Sequence, residues 1–185
     1  NYTIFKAAEI VNLNRLQLKS KNLNPNAVLI TIGDEILSGT TVDTNSNFIA
    51  SELKNIGIPV KQIFTISDET EAIKNTLKSA FEMADLVITT GGLGPTKDDK
   101  TKKAFCDYFE DTMVLDETTF RHLEKLLIQR KREYLLEINK PQAEIPSTAK
   151  VFQNFNGTAP SLMLEKNDKT AICLPGVPYE VKPLI

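Results

Sequence analysis

Leu86-Val87-Ile88-Thr89-Thr90, followed by Gly91-Gly92-Leu93-Gly94-Pro95-Thr96-Lys97-Asp98-Asp99-Lys100-Thr101, is the stretch on which the fold turns. Five apolar or β-branched residues with no charged break suit a strand buried on both faces, ending at Gly91. A helix fits Lys100–Phe109 directly after the loop. Strand, glycine-rich loop and helix in that order are half of a βαβ unit, and the preceding sequence supplies the rest. Ala27–Ile32 is a second continuous apolar run, closed by Gly33. Residues 45–56 read as a helix capped by Asn45 and stopped by Gly57. Val60–Ile66 is rich in β-formers, and Asp68 with Glu71 forms a capping pattern for a helix to about Met83. Three strands with intervening helices within residues 27–90 predict a parallel sheet with right-handed crossovers. A further helix fits residues 116–132.

The last third changes character. Residues 151–152, 161–165 and 170–174 read as short strands, and Asn167-Asp168 is a turn signal between the last two. They add an antiparallel hairpin to the edge or flank of the sheet. The predicted class is α/β: three layers, a mostly parallel sheet flanked by helices, and a C-terminal hairpin. Residues 1–26 carry no glycine and end in a Lys/Asn-rich run, and are read as an appended helix or tail; residues 27–185 form one domain. With Asn1 first and a helix opening at Ile185, the chain is expected to be a piece of a longer protein.

Composition excludes several function classes. The 185 residues carry 22 Lys+Arg against 24 Asp+Glu, so there is no basic field and nucleic acid is not the expected partner. No apolar run approaches the ~18 residues that span a bilayer, so no membrane role is expected. Cys106 and Cys173 are too few and too far apart for a disulfide framework or a zinc site, and a reducing cytoplasm is the simplest setting.

In open α/β sheets ligands bind beyond the carboxyl ends of the strands. Those ends carry Gly33-Asp34-Glu35, then Ser67-Asp68, then the loop at 91–101. The glycines let backbone approach an anion, and the next helix offers free N–H groups. The spacing is neither that of a P-loop nor that of the dinucleotide fingerprint. Asp98 and Asp99 would repel a phosphate unless a lysine or a cation such as Mg²⁺ intervened. The alternative is that Asp99 caps the helix and the glycines make a tight turn; composition leaves both open. Asp34 and Glu35 read equally as metal ligands or as a solvated turn, and Asp68 reads first as a cap. His122 reads as a packed or surface histidine, and Arg130-Lys131-Arg132 as a solvated helix end. Gly157-Thr158-Ala159-Pro160 and Pro175-Gly176-Val177-Pro178 read as rigid turns first and ligand loops second.

Taken together, the motifs are specific. Ile32-Gly33-Asp34-Glu35-Ile36-Leu37 with Gly39, Asp43-Thr44-Asn45, the loop from Thr90 to Asp99, Gly157-Thr158-Ala159-Pro160 and Leu174-Pro175-Gly176-Val177-Pro178-Tyr179-Glu180 resemble, in order, the N-terminal domain of the CinA (competence/damage-inducible) family. The resemblance covers about residues 27–183. It implies a molybdopterin-binding-like fold shared with the MoaB and MogA proteins, a dimer or trimer, and hydrolysis of ADP-ribose to AMP and ribose 5-phosphate with a divalent cation. Full-length members often carry a second domain that deamidates nicotinamide mononucleotide, which this chain is not expected to supply. In the molybdopterin relatives the aspartate after strand two and an Asp-x-Thr after the glycine loop are functional; Asp68 and Asp99-Lys100-Thr101 match them.

On this basis Asp68, Asp99 and Asp34 are the expected catalytic residues. Gly91, Gly92, Gly94, Thr96, Lys97, Thr101, Asn45, Gly157, Thr158 and Gly176 are the expected phosphate or nucleotide contacts. Asp34, Asp99 and Glu35 are the expected ligands of Mg²⁺ or another divalent cation, with Glu180 a further candidate. The alternative function is a pterin-phosphate binding domain that adenylylates its ligand, or a non-catalytic nucleotide sensor.

Overall fold

The computed structural model describes residues 25–94 and 100–185. The segment read as a helix or tail lies outside the described residues, apart from Pro25 and Asn26. β1 (Ala27–Ile32) is buried along its whole length, as is β3 (Leu86–Thr90). β2 (Val60–Ile66) is mostly exposed and forms one edge. β7 (Ser161–Lys166) and β8 (Lys169–Leu174) are the two strands of the C-terminal hairpin, and β6 (Lys150–Phe152) closes the far edge. The six-stranded order is β2-β1-β3-β8-β7-β6.

The hairpin joins the sheet through its second strand. β8 lies parallel to β3 and antiparallel to β7, so the parallel part has four strands rather than the three read from sequence. Asn167 and Asp168 both take positive φ, 52° and 62°, the backbone of a two-residue turn whose twist matches its strands.

Alternation along β1 divides the interior. Val28, Ile30 and Ile32 pack with Ile73, Leu77 and Phe81 of α3 (Thr70–Met83) and Phe105 of α4 (Lys100–Phe109). Ala27 and Leu29 pack with Ile49 and Leu53 of α2 (Thr44–Asn55) on the other face. The i, i+4, i+7, i+8 spacing of Ile73, Leu77, Ala80 and Phe81 puts all four on one buried stripe. These are the three expected layers.

Neither of two expected caps forms. α2 is capped by Asp43, which accepts from the Ser46 N–H at 2.9 Å, and Asn45 lies inside the helix. α3 is preceded by Glu69 with no side-chain cap, so Asp68 does not cap it. The helix predicted over 116–132 is α5 (Glu117–Gln129), capped by Asp116. Sequence did not anticipate α1 (Asp34–Leu37) or α6 (Leu136–Asn139) with its flanking 3₁₀ turns; the helix read at the end of the chain is the short α7 (Pro178–Val181). Nor did it anticipate a separate two-stranded sheet of β4 (Met113–Leu115) with β5 (Glu144–Pro146). Among the described residues no helix is long and apolar enough to cross a membrane.

Candidate functional site

β1, β3 and β8 end level with one another: Thr31 pairs with Thr90, and Thr90 with Leu174. The loops that leave them therefore meet at one edge. β7 runs the other way, so the segment entering it meets them there too. Between these loops lies a cleft of about 540 Å³, bordered by Asp34, Glu35, Asp68, Gly91, Gly92, Gly94, Thr158, Gly176 and Glu180. A smaller hollow of about 60 Å³ adjoins it at Gly91 and Gly176 and is bordered by Asn45.

The glycine loop is fixed by backbone geometry. Gly91 and Gly92 have φ of 94° and 69°, where an L side chain is strained. A Cβ on Gly91 would collide with the Ile32 carbonyl, and one on Gly92 with the Thr101 hydroxyl. The Gly91 N–H donates to the Leu174 carbonyl at 3.1 Å, tying the loop to β8. Among the described residues nothing accepts from the N–H groups of Gly92, Leu93 and Gly94, which all border the cleft. Among the described residues they are unpaired backbone donors. Thr101, expected to contribute a hydroxyl to the ligand, is instead 1% exposed behind Gly92 and away from the cleft wall. Its Oγ1 has no partner among the described residues.

Asn45 acts beside the cleft rather than in it. Its Nδ2 donates to the Gly176 carbonyl at 2.8 Å, which holds the β8–α7 loop against the start of α2. The cap beneath it is built from Asp43, which accepts from the Thr31 hydroxyl at 2.6 Å and the Ser46 N–H at 2.9 Å. Partial burial pushes the Asp43 carboxyl up, but bonds from the Ser46 N–H, the Thr31 and Ser46 hydroxyls and the Asn45 N–H outweigh it and leave it below the ordinary aspartate value.

Four carboxylates border the cleft. Asp34 and Glu35 are exposed on α1, and Asp68 is half-buried with Lys100 Nζ at 3.9 Å. Glu180 on α7 is buried. Among the described residues no three His, Cys, Asp or Glu side chains come together as a metal cage. Asp34 and Glu35 are neighbours on α1, and the Glu35 carboxylate lies over Gly33. Thr96, Lys97, Asp98 and Asp99 lie outside the described residues. Gly157 does not border the cleft but sits directly against the Glu180 carboxylate.

Comparison with known proteins fits this geometry. Residues 28–185 match the family described as "Probable molybdopterin binding domain". The chain is 46% identical over 159 residues to a CinA-like protein of Flavobacterium psychrophilum, covering 86% of this chain and 38% of the relative. It superposes on the crystal structure of the protein CinA from Thermoplasma acidophilum with a TM-score of 0.80 and 36% identity, covering 88% of this chain and 95% of that one. The chain belongs to the CinA family. MoaB of Pyrococcus furiosus, a tungsten cofactor synthesizing protein, shares the fold with a TM-score of 0.57 at 18% identity, over 88% of each chain. This CinA-family chain spans 38% of the length of the Flavobacterium relative.

Sequence reasoning missed two residues that shape the site in this CinA-family chain. Gln142, 2% exposed on the cleft wall, donates to the Leu93 carbonyl at 3.3 Å. Nothing near it in sequence signals that contact. Asn154 organises the loop before β7: its Oδ1 accepts from the Asn156 and Gly157 N–H groups at 2.9 and 3.0 Å. The Asn-x-x-Gly spacing is the signal that marks such a turn. His122 is packed, as read: it stacks edge-on with Phe155, and its Nε2 is 2.9 Å from the Asn154 carbonyl. Arg130, read as a solvated helix end, donates to the Asn156 carbonyl at 2.9 Å.

Proposed function

We propose that this chain binds a small molecule bearing a phosphate, a pterin or a nucleotide, in the cleft at the carboxyl ends of β1, β3 and β8. The observation that carries this is the set of N–H donors of Gly92, Leu93 and Gly94 on the cleft wall, unpaired among the described residues. Such donors recognise anionic oxygens without needing a cationic side chain. The match to a molybdopterin binding domain supports a pterin phosphate as the ligand, in a binding module that adenylylates or senses it. Self-association into a dimer or trimer belongs to the same reading and is checked by light scattering on the eluting protein. The test is calorimetric titration with a pterin phosphate, AMP, ADP-ribose and inorganic phosphate. Binding of a phosphate-bearing ligand that weakens in Gly92→Ala supports the proposal; no binding by folded protein overturns it.

A second reading is favoured by the carboxylates around the cleft and by the identity to CinA proteins. Here the chain hydrolyses ADP-ribose to AMP and ribose 5-phosphate. Water attacks a phosphorus of the diphosphate, the bridging P–O bond breaks, and the water's proton passes to a carboxylate; Asp68, Asp34 and Asp99 are the proposed groups. A bound divalent cation would supply neutralisation of the phosphate charge, with Asp34, Glu35 and Asp99 as its protein ligands. Release of AMP from ADP-ribose with Mg²⁺, abolished by EDTA and by Asp99→Ala, supports this reading. Binding without AMP release leaves the binding module standing alone.

A further inference from the structure

Glu180 is a carboxylate on the cleft wall with 8% of its surface exposed. Burying such a group is unfavourable unless hydrogen bonds replace its water, and the surrounding chain is arranged around it. Asn154, 2% exposed, donates from Nδ2 to Glu180 Oε2 at 2.8 Å and to the Ala159 carbonyl at 3.0 Å. Because Asn154 Oδ1 already accepts from two backbone N–H groups, the amide is locked with its NH₂ towards the carboxylate. A Cβ on Gly157 would collide with the same carboxylate. No described residue donates to Oε1.

We infer that Glu180 is the specificity-determining acceptor of the cleft: it takes hydrogen bonds from hydroxyl or amino groups on the organic half of the ligand, whose phosphate lies at the Gly92–Gly94 donors. The inference rests on the phosphate-ligand reading above and adds an orientation to it. The physical reason is charge. A buried carboxylate repels phosphate oxygens across a weakly screened interior, while the glycine-loop N–H groups, unpaired among the described residues, attract them. Beside Glu180 the wall is apolar, formed by Ala159, Val177 and Pro178, which suits a ring or sugar whose donors face the carboxylate. Two sources offer such donors: the vicinal hydroxyls of a ribose, and the amino–imino edge that pterins share with guanine.

The experiment measures binding of AMP, 2′-deoxy-AMP, GMP, IMP and inorganic phosphate to the wild-type chain and to Glu180→Gln, with circular dichroism and melting curves on both proteins. The variant is expected to weaken AMP or GMP by about 10-fold or more, the loss of one charge-assisted hydrogen bond, and to leave inorganic phosphate unchanged. Loss of the wild-type preference for AMP over 2′-deoxy-AMP assigns the donors to the ribose. Loss of the preference for GMP over IMP assigns them to the base edge. Retention of both preferences in the variant overturns the inference while leaving the cleft reading intact. Gly157→Ala, which displaces the carboxylate without removing it, must lose the same preference. Failure of every probe, phosphate included, to bind the wild type overturns the cleft reading itself.

Discussion

The side-chain amide of Asn45 and the backbone carbonyl of Gly176 meet at 2.8 Å across 131 positions of sequence. The bond joins the first turn of α2 to the loop after β8, and Gly176 in turn lies close enough to Gly91 that a Cβ would stand 3.3 Å from the Gly91 Cα. Asn45 thus sets the position of two cleft loops while remaining outside the cleft. Asn45→Asp puts a carboxylate where a donor is required. It is expected to destabilise the fold by about 1–3 kcal/mol, as for any buried polar group left unmatched, and to weaken phosphate-ligand binding. Urea denaturation and calorimetry on the same preparation check both effects; unchanged affinity removes Asn45 from the site.

Thr101 was expected at the ligand and lies behind Gly92. Thr101→Val keeps the shape and removes a hydroxyl that has no partner among the described residues. Its stability should therefore stay within about 0.5 kcal/mol of wild type or rise, because an unsatisfied buried hydroxyl contributes nothing favourable. Ligand affinity should not change. A large loss of affinity in thermally intact Thr101→Val would restore the hydroxyl to the binding site.

Gly92→Ala is predicted to be severe, costing about 2 kcal/mol or more from left-handed backbone strain together with overpacking. Combining it with Thr101→Ala should recover the overpacking part and leave the backbone part of about 1–2 kcal/mol. A double-variant cycle of unfolding free energies reads this directly. Strict additivity of the two changes contradicts the close approach of Gly92 to Thr101.

The Asp43 cap makes acid stability a local property. Its carboxyl is held below its ordinary value in the folded chain, so the unfolded chain takes up its proton first as pH falls. The cap's contribution is complete above the unfolded pKa of about 4 and is lost as pH drops through the folded value. Asp111, held low by bonds from Ser147, Thr148 and the Thr112 N–H that outweigh its burial, acts in the same direction. Between pH 6 and pH 3 the urea midpoint of the wild type should fall, and that of Asp43→Asn should fall less steeply. Equal slopes would show that the cap is not titrating.

Lys102 is 4% exposed, and its ammonium donates to the Pro141 and Glu144 carbonyls at 2.6 and 2.9 Å. It fastens the segment that carries Gln142, which in turn holds the Leu93 carbonyl. Lys102→Met removes the charged donor from both carbonyls, which belong to the half-buried Pro141 and the exposed Glu144, and is expected to cost about 1.5–3 kcal/mol. Amide exchange should quicken in residues 140–146 and in the glycine loop. Faster exchange confined to α4 would separate Lys102 from the loop.

Sequence alone determined the layers and the edge at which the site forms. Unbroken apolar runs at Ala27–Ile32 and Leu86–Thr90 can satisfy their burial only inside a sheet covered on both faces. The glycines after them mark where the chain must turn. These are local signals, decided by a residue and its near neighbours. Tertiary structure decided which polar side chains face the cleft. Asn45 and Asp68 both look like helix caps, yet neither is one: Asp43, bonded to Thr31 across the β1–α2 packing, caps α2, and α3 has no side-chain cap. Thr101 faces Gly92, which stands between it and the cleft. Gln142 reaches the site across 49 positions, and Glu180 is buried by Asn154 and Gly157 from another loop. Such contacts depend on register and packing between distant segments. A carboxylate or amide looks the same in sequence whether it meets solvent or another strand's loop, so those assignments required the folded chain.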